Sequence, residues 1–230
     1  MSNKINQKIR CSEAFSPASP VRTLQLFAGR LRQLETVQRT IFTRGRHALI
    51  YGDRGVGKTS LVNILADVFA EVDGFRCHKI NCDKVDTFST VWARLFSDLR
   101  ILLEPSSAAE SVVERSLDAL LPEGRFGPGD VVRVCSKADD IRSTIILVFD
   151  EFDRLPKEHR ALFSDTIKGL SDGAVNATII LVGVAKDVIE LIEDHESTVR
   201  NLAQIQMPPM RREELREILE KALGPHLPST

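Results

Sequence analysis

Residues 50–60 read Ile50-Tyr51-Gly52-Asp53-Arg54-Gly55-Val56-Gly57-Lys58-Thr59-Ser60, which contains the spacing G-x-x-x-x-G-K-[ST]. A short run that is typical of a buried strand, 47–51, leads into this motif, and a segment with apolar residues at helical spacing, 61–69, follows it. The glycines allow a tight turn whose N–H groups point at one spot, and the following helix adds the positive end of its dipole. The pattern therefore predicts a phosphate-binding loop between a buried strand and a helix.

Two residues of this loop carry the chemistry that a nucleotide requires. The Lys58 ammonium can reach the β- and γ-phosphates, which makes it a catalytic as well as a binding residue, and the Thr59 hydroxyl can bind Mg²⁺. The turn supplies the other contacts through its backbone. We predict that phosphates lie against Gly52, Asp53, Arg54, Gly55, Val56, Gly57, Lys58, Thr59 and Ser60.

A second motif lies in the sequence Ile145-Ile146-Leu147-Val148-Phe149-Asp150-Glu151. Its continuous apolar run predicts a strand that is buried on both faces of a parallel sheet and that delivers the residues after it to the carboxyl edge. Carboxylates at that edge would face the phosphate loop. We predict that Asp150 holds the Mg²⁺ shell and that Glu151 orients and polarises the attacking water.

The rest of the hydrophobic pattern alternates between strands and helices. Strands are predicted at 47–51, 75–80, 145–149, 178–183 and 203–207. Helical stripes run over 31–41, 61–69, 88–102, 130–139, 162–170, 188–192 and 215–223, while 108–121 could form another helix and 122–129 is predicted as loop. This order predicts an α/β fold of the P-loop NTPase class, a three-layer sandwich around a parallel five-stranded sheet, with Trp92 in its core.

Composition excludes several classes of protein. The formal net charge of −1 gives no overall attraction to nucleic acid or membrane. The four cysteines are scattered without a C-x-x-C pair, which argues against a disulfide framework or a zinc ribbon. The sequence has neither an apolar run of membrane-spanning length nor a signal-peptide pattern, so we expect a cytoplasmic protein without a membrane partner.

The combination of motifs resembles AAA+ ATPases. The segments that carry the resemblance are Phe27-x-Gly29-Arg30, the phosphate loop, Asp150-Glu151-Phe152-Asp153-Arg154-Leu155, 179–185, 195–202 and Glu213-Glu214-Leu215-x-x-Ile218-Leu219. The N-K-x-D motif of GTPases does not occur. This order, over about residues 26 to 223, resembles the branch that holds the replication-initiator ATPases of the origin-recognition type, the transposition-regulator ATPases and the STAND signalling ATPases.

The resemblance implies cofactors, partners and further site residues. The cofactors are ATP and Mg²⁺, and Phe27 and Arg30 would cradle the adenine and ribose. Arg200 would be an arginine finger that reaches the γ-phosphate bound by a neighbouring subunit, although it could instead be a surface residue that pairs with Asp194 or Glu196. We accordingly expect a homo-oligomeric ATPase that regulates a DNA-associated or defence-type complex through a protein partner, with DNA itself expected from resemblance only.

The expected domain limits follow from this resemblance and, for the N-terminal arm, from the lack of hydrophobic periodicity there. They are a mobile N-terminal arm at 1–21, an AAA+ nucleotide-binding domain at 22–208, and the first lid helix with a tail at 209–230, which adds the start of a helical lid to the fold.

Two other functions remain open. A nucleotide-dependent scaffold or switch with negligible hydrolysis is favoured by Gly183-Val184-Ala185, which stands where the resemblance requires a polar sensor, and by the short lid. A phosphotransferase shares the first loop, but the Asp150-Glu151 pair argues against it.

Overall fold

The computed structural model describes residues 30–103, 113–139, 144–184, 200–214 and 216, and a parallel sheet lies at their centre. The strands are β1 (His47–Tyr51), β2 (Phe75–Asn81), β3 (Arg100–Leu103), β4 (Val113–Ser116), β5 (Thr144–Asp150), β6 (Ala177–Gly183) and β7 (Leu202–Gln206). The main sheet has the order β2-β5-β6-β1-β7, and every neighbouring pair in it is parallel. The predicted α/β class and five-stranded parallel sheet are confirmed.

Helices cover both faces of this sheet. They are α1 (Leu31–Ile41), α2 (Lys58–Ala70), α3 (Phe88–Ser97), α4 (Pro128–Asp139) and α5 (Lys157–Asp172), with 3-10 turns at Leu117–Leu120 and Phe152–Arg154. Side chains alternate along β5, so Ile146 and Val148 pack in one core with α1 and α2, and Leu147 and Phe149 in the other with α3, α4 and α5. The predicted three-layer sandwich is therefore correct.

Trp92 lies at the centre of the second core. It is 0% exposed, and its ring lies 4.9 Å from that of Phe149 and 5.6 Å from that of Phe163, measured between centroids. The prediction that Trp92 is a core residue is confirmed, and its neighbours tie β5 to α3 and α5.

Two helix predictions were wrong. The helical stripe at 88–102 ends at Ser97, because the chain then enters the antiparallel pair of β3 with β4. The possible helix at 108–121 is instead β4 followed by a 3-10 turn in its described part, residues 113–121. Leu117 explains the turn, since its N–H donates to the carbonyl of Leu99 (2.8 Å) while its side chain is fully buried.

The predicted loop at 122–129 is also too long. Helix α4 already begins at Pro128, where proline is tolerated because the first helical N–H has no partner within the helix. Asp130 lies within the first turn, and its carboxylate accepts the N–H of Gly127 at 3.2 Å.

Several predictions fall outside the described residues. They include the arm at 1–21, the helix at 188–192 and the helix at 215–223, of which only residue 216 is described; it is helical, as are residues 212–214 before it. The domain limits therefore stay predictions. Cys77, Cys82 and Cys135 are free thiols, and the described residues contain no helix long and apolar enough to cross a membrane.

A buried histidine opens β1. His47 is fully buried, and its Nδ1 accepts the N–H of Ile179 at 3.0 Å. Burial, with a smaller contribution from the charge of Arg46, lowers the pKa of His47 to about 3. The ring is therefore neutral in the folded protein at pH values well above 3. In the unfolded chain, by contrast, it titrates near 6.5.

This difference predicts a pH-dependent stability. Because the unfolded chain binds the extra proton, the free energy of unfolding should fall by about 2 kcal/mol between pH 7 and pH 5 through His47 alone. His47→Asn keeps an acceptor for Ile179 without a titrating ring, so urea unfolding curves should show a smaller pH slope for the variant. Equal slopes for wild type and His47→Asn would contradict the prediction.

Candidate functional site

The carboxyl edge of the main sheet holds a cleft of about 570 Å³. The phosphate loop follows β1 at this edge, and β5 and β6 end beside it. The lining residues are Arg54, Gly55, Lys58, Thr59, Lys84, Asp150, Glu151, Asp153, Arg154, Val182, Gly183 and Val184. Parallel strands thus bring the two sequence motifs to one place, as strand direction requires.

The phosphate loop is open towards the cleft and tight behind it. Gly55 and Gly57 have φ values of +79° and +92°, in the left-handed region that favours glycine. A Cβ at Gly55 would meet no heavy atom within 4 Å, whereas a Cβ at Gly52 would lie 2.3 Å from the carbonyl oxygen of Met207. The loop therefore has room for a ligand on one side and depends on Gly52 for packing on the other.

Lys58 begins α2 and folds back onto this loop. Its Nζ donates hydrogen bonds of 2.8 Å to the carbonyl oxygens of Gly52 and Asp53. Burial lowers the pKa of Lys58, and the nearby carboxylates of Asp153 and Asp150 oppose that shift. The ammonium is thus held at the mouth of the loop, where phosphate oxygens can replace the two carbonyls.

Asp150 is oriented by its neighbours. The residue is 3% exposed, and its Oδ1 accepts the N–H of Glu151 at 2.9 Å. Its Oδ2 lies 3.4 Å from Nζ of Lys79, which also donates to Oδ1 of Asn63 at 2.7 Å. This carboxylate, with the Thr59 hydroxyl in the same cleft, provides the hard oxygen ligands that Mg²⁺ prefers.

Glu151 lies next to Asp150 in a left-handed conformation, with φ of +52°. Its Oε2 accepts a hydrogen bond of 2.7 Å from Nη1 of Arg154, whose Nη2 lies 3.5 Å from each carboxylate oxygen of Asp83. The hydrogen bond to Glu151, and then the charge of Asp83, raise the pKa of Arg154. Exposed pairs of this kind contribute little to stability, so Glu151 can exchange this partner for a water in the cleft at small cost.

Arg30 lies behind the loop and has spare donors. It is 1% exposed, and its Nη2 donates to the carbonyl of Pro208 at 2.5 Å and lies 3.5 Å from that of Val56. Its Nε and Nη1 find no partner within the described part of the chain. Buried donors without acceptors fit a polar ligand group beside the loop, such as a base or ribose. Phe27, predicted for the same role, lies outside the described residues.

Arg200 does not belong to this cleft. It is exposed and lies two residues before β7, which runs parallel to β1 with His47 opposite Leu202 and Tyr51 opposite Gln206. The phosphate loop leaves the far end of β1, so the length of the strand, roughly 17 Å, separates it from Arg200. Arg200 therefore cannot serve the loop of its own chain.

Sequence patterns alone did not single out the polar neighbours of the motifs. Lys79 and Lys84 come from the end of β2 and the turn after it, and β2 pairs with β5 so that Asn81 lies opposite Asp150. The rule that parallel strands end at one edge could have found them. At the expected sensor place, Val184 lines the cleft and its N–H donates to Oδ1 of Asp153 at 3.0 Å.

A family model described as AAA ATPase domain matches residues 26–181. The match includes the phosphate loop, the Asp150-Glu151 pair, three strands of the main sheet and most of a fourth, β6. The chain belongs to the AAA ATPase domain family. A nucleotide-binding role for the domain follows from this membership.

Solved structures share the fold of this AAA ATPase domain. The Cdc6p protein of Pyrobaculum aerophilum is 19% identical with a TM-score of 0.62. The match covers 92% of this chain and 53% of that one. The Walker-type ATPase of Pyrococcus abyssi is 18% identical with a TM-score of 0.58, covering 89% of this chain and 60% of that one. The Orc1 protein of Aeropyrum pernix, solved in complex with DNA, is 18% identical with a TM-score of 0.56. The match covers 85% of this chain and 49% of that one.

These neighbours are longer than the AAA ATPase domain described here. The chain spans between 49% and 60% of their length. No curated protein matches the chain.

Proposed function

We propose that this AAA ATPase domain binds ATP with Mg²⁺ in the cleft and hydrolyses it to ADP and phosphate. The observation that supports this best is the meeting of Lys58, Thr59, Asp150 and Glu151 in one cleft. The loop glycines and Lys58 bind the phosphates, while Arg30, with Phe27, serves the adenine and ribose.

The residues of the cleft divide the chemical work. Thr59 and Asp150 would hold Mg²⁺, which supplies positive charge against the phosphoryl oxygens. Glu151 accepts a hydrogen bond from the attacking water and so orients and polarises it. Lys58 stabilises the negative charge that develops on the phosphoryl oxygens.

Hydrolysis in this proposal depends on assembly. Arg200 is exposed on the edge of the sheet opposite the cleft, so it acts on ATP bound by a second copy of the chain. A guanidinium near the transferring phosphoryl group can accelerate hydrolysis by about 10³-fold or more. Each active site is therefore completed by its neighbour.

The ATPase rate per subunit, measured over a wide range of protein concentration, tests this dependence. We expect the rate to rise with concentration and to fall by roughly 10³-fold or more in Arg200→Ala, with ATP affinity unchanged. Arg125→Ala removes an exposed loop arginine and should behave as wild type. A rate independent of concentration and of Arg200 would overturn assembly-dependent catalysis.

A second candidate function is a nucleotide-dependent scaffold or switch with negligible hydrolysis. It is favoured by Gly183 and Val184, which line the cleft at the place where a polar sensor is expected. The pairing of Glu151 with Arg154 points the same way. ATP binding without phosphate release at any protein concentration would support this function over the first.

We further propose that the assembled protein regulates a DNA-associated or defence-type complex through a protein partner. The support is the likeness to the Cdc6p and Orc1 structures, the second of which was solved in complex with DNA. If DNA is bound directly, its affinity should fall steeply with salt, because bound phosphates release counterions.

A further inference from the structure

One lysine joins the two motifs of the nucleotide site from behind the cleft. Lys79 lies on β2, and its Nζ donates to Oδ1 of Asn63 at 2.7 Å and lies 3.4 Å from Oδ2 of Asp150. Asn63 belongs to α2 and follows Thr59 by four residues, which is about one helical turn. The ammonium therefore lies beside one residue of the proposed Mg²⁺ site and one turn away from the other.

The sheet sets the direction of this side chain. Lys79 lies opposite Val148 of β5, and Asn81, two residues later, lies opposite Asp150. Val148 packs in the core with α2. Because alternate residues of a strand share a face, Lys79 and Asp150 lie on that same face as diagonal neighbours. The contact between them follows from strand register and not from a chance side-chain conformation.

Lys79 belongs to the wall of the site and not to its opening. Its side chain is 23% exposed, whereas that of Asp150 is 4% exposed, and it is not among the residues that line the cleft. Lys58 differs, because it lines the cleft, where phosphate oxygens can replace its two carbonyl partners. Lys79 can therefore stay with Asp150 whether or not a nucleotide is bound.

The charge of Lys79 acts in opposite directions on two kinds of ligand. A bare divalent cation at Asp150 is repelled by the ammonium and has to share the carboxylate with it. The complex of one Mg²⁺ with a nucleoside triphosphate is negative overall, so the same ammonium attracts it. A lysine at this place thus discriminates between the metal ion alone and the metal–nucleotide complex.

The other basic residues of the cleft act more weakly on Asp150. Arg54, Lys84 and Arg154 are exposed, so solvent and salt screen their charges. Arg154 is also paired with Glu151 and lies near Asp83. Lys79, by contrast, contacts a buried carboxylate directly, where screening is much weaker.

We propose that Lys79 is a positioning and specificity-determining residue, which holds Asp150 in place and makes the site reject a bare divalent cation while accepting the metal–nucleotide complex. This rests on the proposed function, because it requires Thr59 and Asp150 to hold Mg²⁺. Asn63 anchors the ammonium on α2 and so keeps its charge beside the carboxylate. The site therefore takes up the metal together with ATP.

Mn²⁺ alone is the first probe, because the electron paramagnetic resonance signal of free Mn²⁺ measures its binding directly. Wild type should bind it weakly without nucleotide. Lys79→Gln removes the charge but keeps a hydrogen-bonding side chain, and it should bind Mn²⁺ at least about tenfold more tightly. Lys79→Arg keeps the charge and should resemble wild type. Lys168→Gln, which changes an exposed lysine of α5, is the matched control and should also resemble wild type.

The second probe is Mn²⁺ with adenylyl imidodiphosphate, a non-hydrolysable ATP analogue. Lys79→Gln should bind this complex roughly two- to threefold more weakly than wild type, because it loses an attraction that solvent partly screens. The affinities for the two probes thus move in opposite directions. A purely structural role for Lys79, in which its loss merely displaces Asp150, would weaken the binding of both probes.

A double variant assigns the bound ion to its ligand. Adding Asp150→Asn to Lys79→Gln should abolish the gain in Mn²⁺ affinity. Because Asp150 loses a cationic partner in Lys79→Gln, thermal unfolding should be recorded with and without Mn²⁺. The metal should raise the unfolding midpoint of Lys79→Gln more than that of wild type, even if the variant is less stable without it.

The outcomes separate this inference from the function on which it rests. If wild type binds the metal–nucleotide complex, but Lys79→Gln binds Mn²⁺ alone no more tightly than wild type does, the role of Lys79 is wrong and the proposed function stands. Weaker binding of both probes by Lys79→Gln has the same meaning. If wild type does not bind Mn²⁺ even with the nucleotide analogue, the inference and the proposed metal site are both wrong.

Discussion

Lys58→Ala is expected to lower the affinity for ATP by roughly 100-fold or more. The ammonium is held at the loop mouth by the carbonyls of Gly52 and Asp53, and its charge-assisted bonds to phosphate are worth about 3 kcal/mol. The α2 dipole and the loop N–H groups remain, so weak residual binding is consistent with the proposed site. Binding of a fluorescent ATP analogue, titrated at constant ionic strength, measures the effect.

The control for this experiment is Lys168→Ala, which removes an exposed lysine of α5. It should bind ATP as wild type does. Lys58→Ala also leaves two loop carbonyls without their donor, at a cost of about 1 to 3 kcal/mol, so its unfolding curve should be recorded alongside. Lys58→Met, which keeps the aliphatic stem, separates lost charge from lost packing. Tight binding by both folded Lys58 variants would refute the assignment of the site.

Glu151→Gln is expected to stop turnover without weakening ATP binding. The amide cannot polarise water as a carboxylate does, and such a loss costs roughly 10²- to 10⁴-fold in rate. The amide oxygen of the glutamine can still accept a hydrogen bond from Arg154, so the local structure should persist. Phosphate release under single-turnover conditions, at protein concentrations that permit assembly, measures the rate.

Glu158→Gln provides the matched comparison, since Glu158 is an exposed carboxylate in the first turn of α5. It should leave both binding and turnover unchanged. Undiminished turnover in Glu151→Gln would reject the role of this residue. Loss of ATP binding would mean instead that Glu151 belongs to the binding contacts.

Much of the sheet was predictable because buried parallel strands have a strong local signal. The run at 145–149 is continuously apolar and is followed by Asp150-Glu151, while 48–50 is apolar and leads into the glycine-rich loop, so the burial and the direction of both strands follow from sequence. The prediction failed after Ser97, where the apolar pattern continues but the backbone turns into β3. Residues 100–103 form a strand because they pair with β4. A short apolar pattern in the sequence fits either a continued helix or a strand, so it cannot distinguish the two.

By itself, the sequence determined the family, the phosphate loop and the carboxylate pair, because these depend on residue types at fixed spacing along one strand-loop-helix or one strand end. Only the tertiary structure decided what surrounds them. No spacing rule in the sequence specifies three of these contacts. They are the ion pair of Lys79 with Asp150, the ion pair of Arg154 with Glu151, and the hydrogen bond from Arg46 to the carbonyl oxygen of Arg200. Strand order sets the first and the third of these contacts, since parallel strands distant in sequence begin and end at shared edges. The 3-10 turn after β5 sets the second.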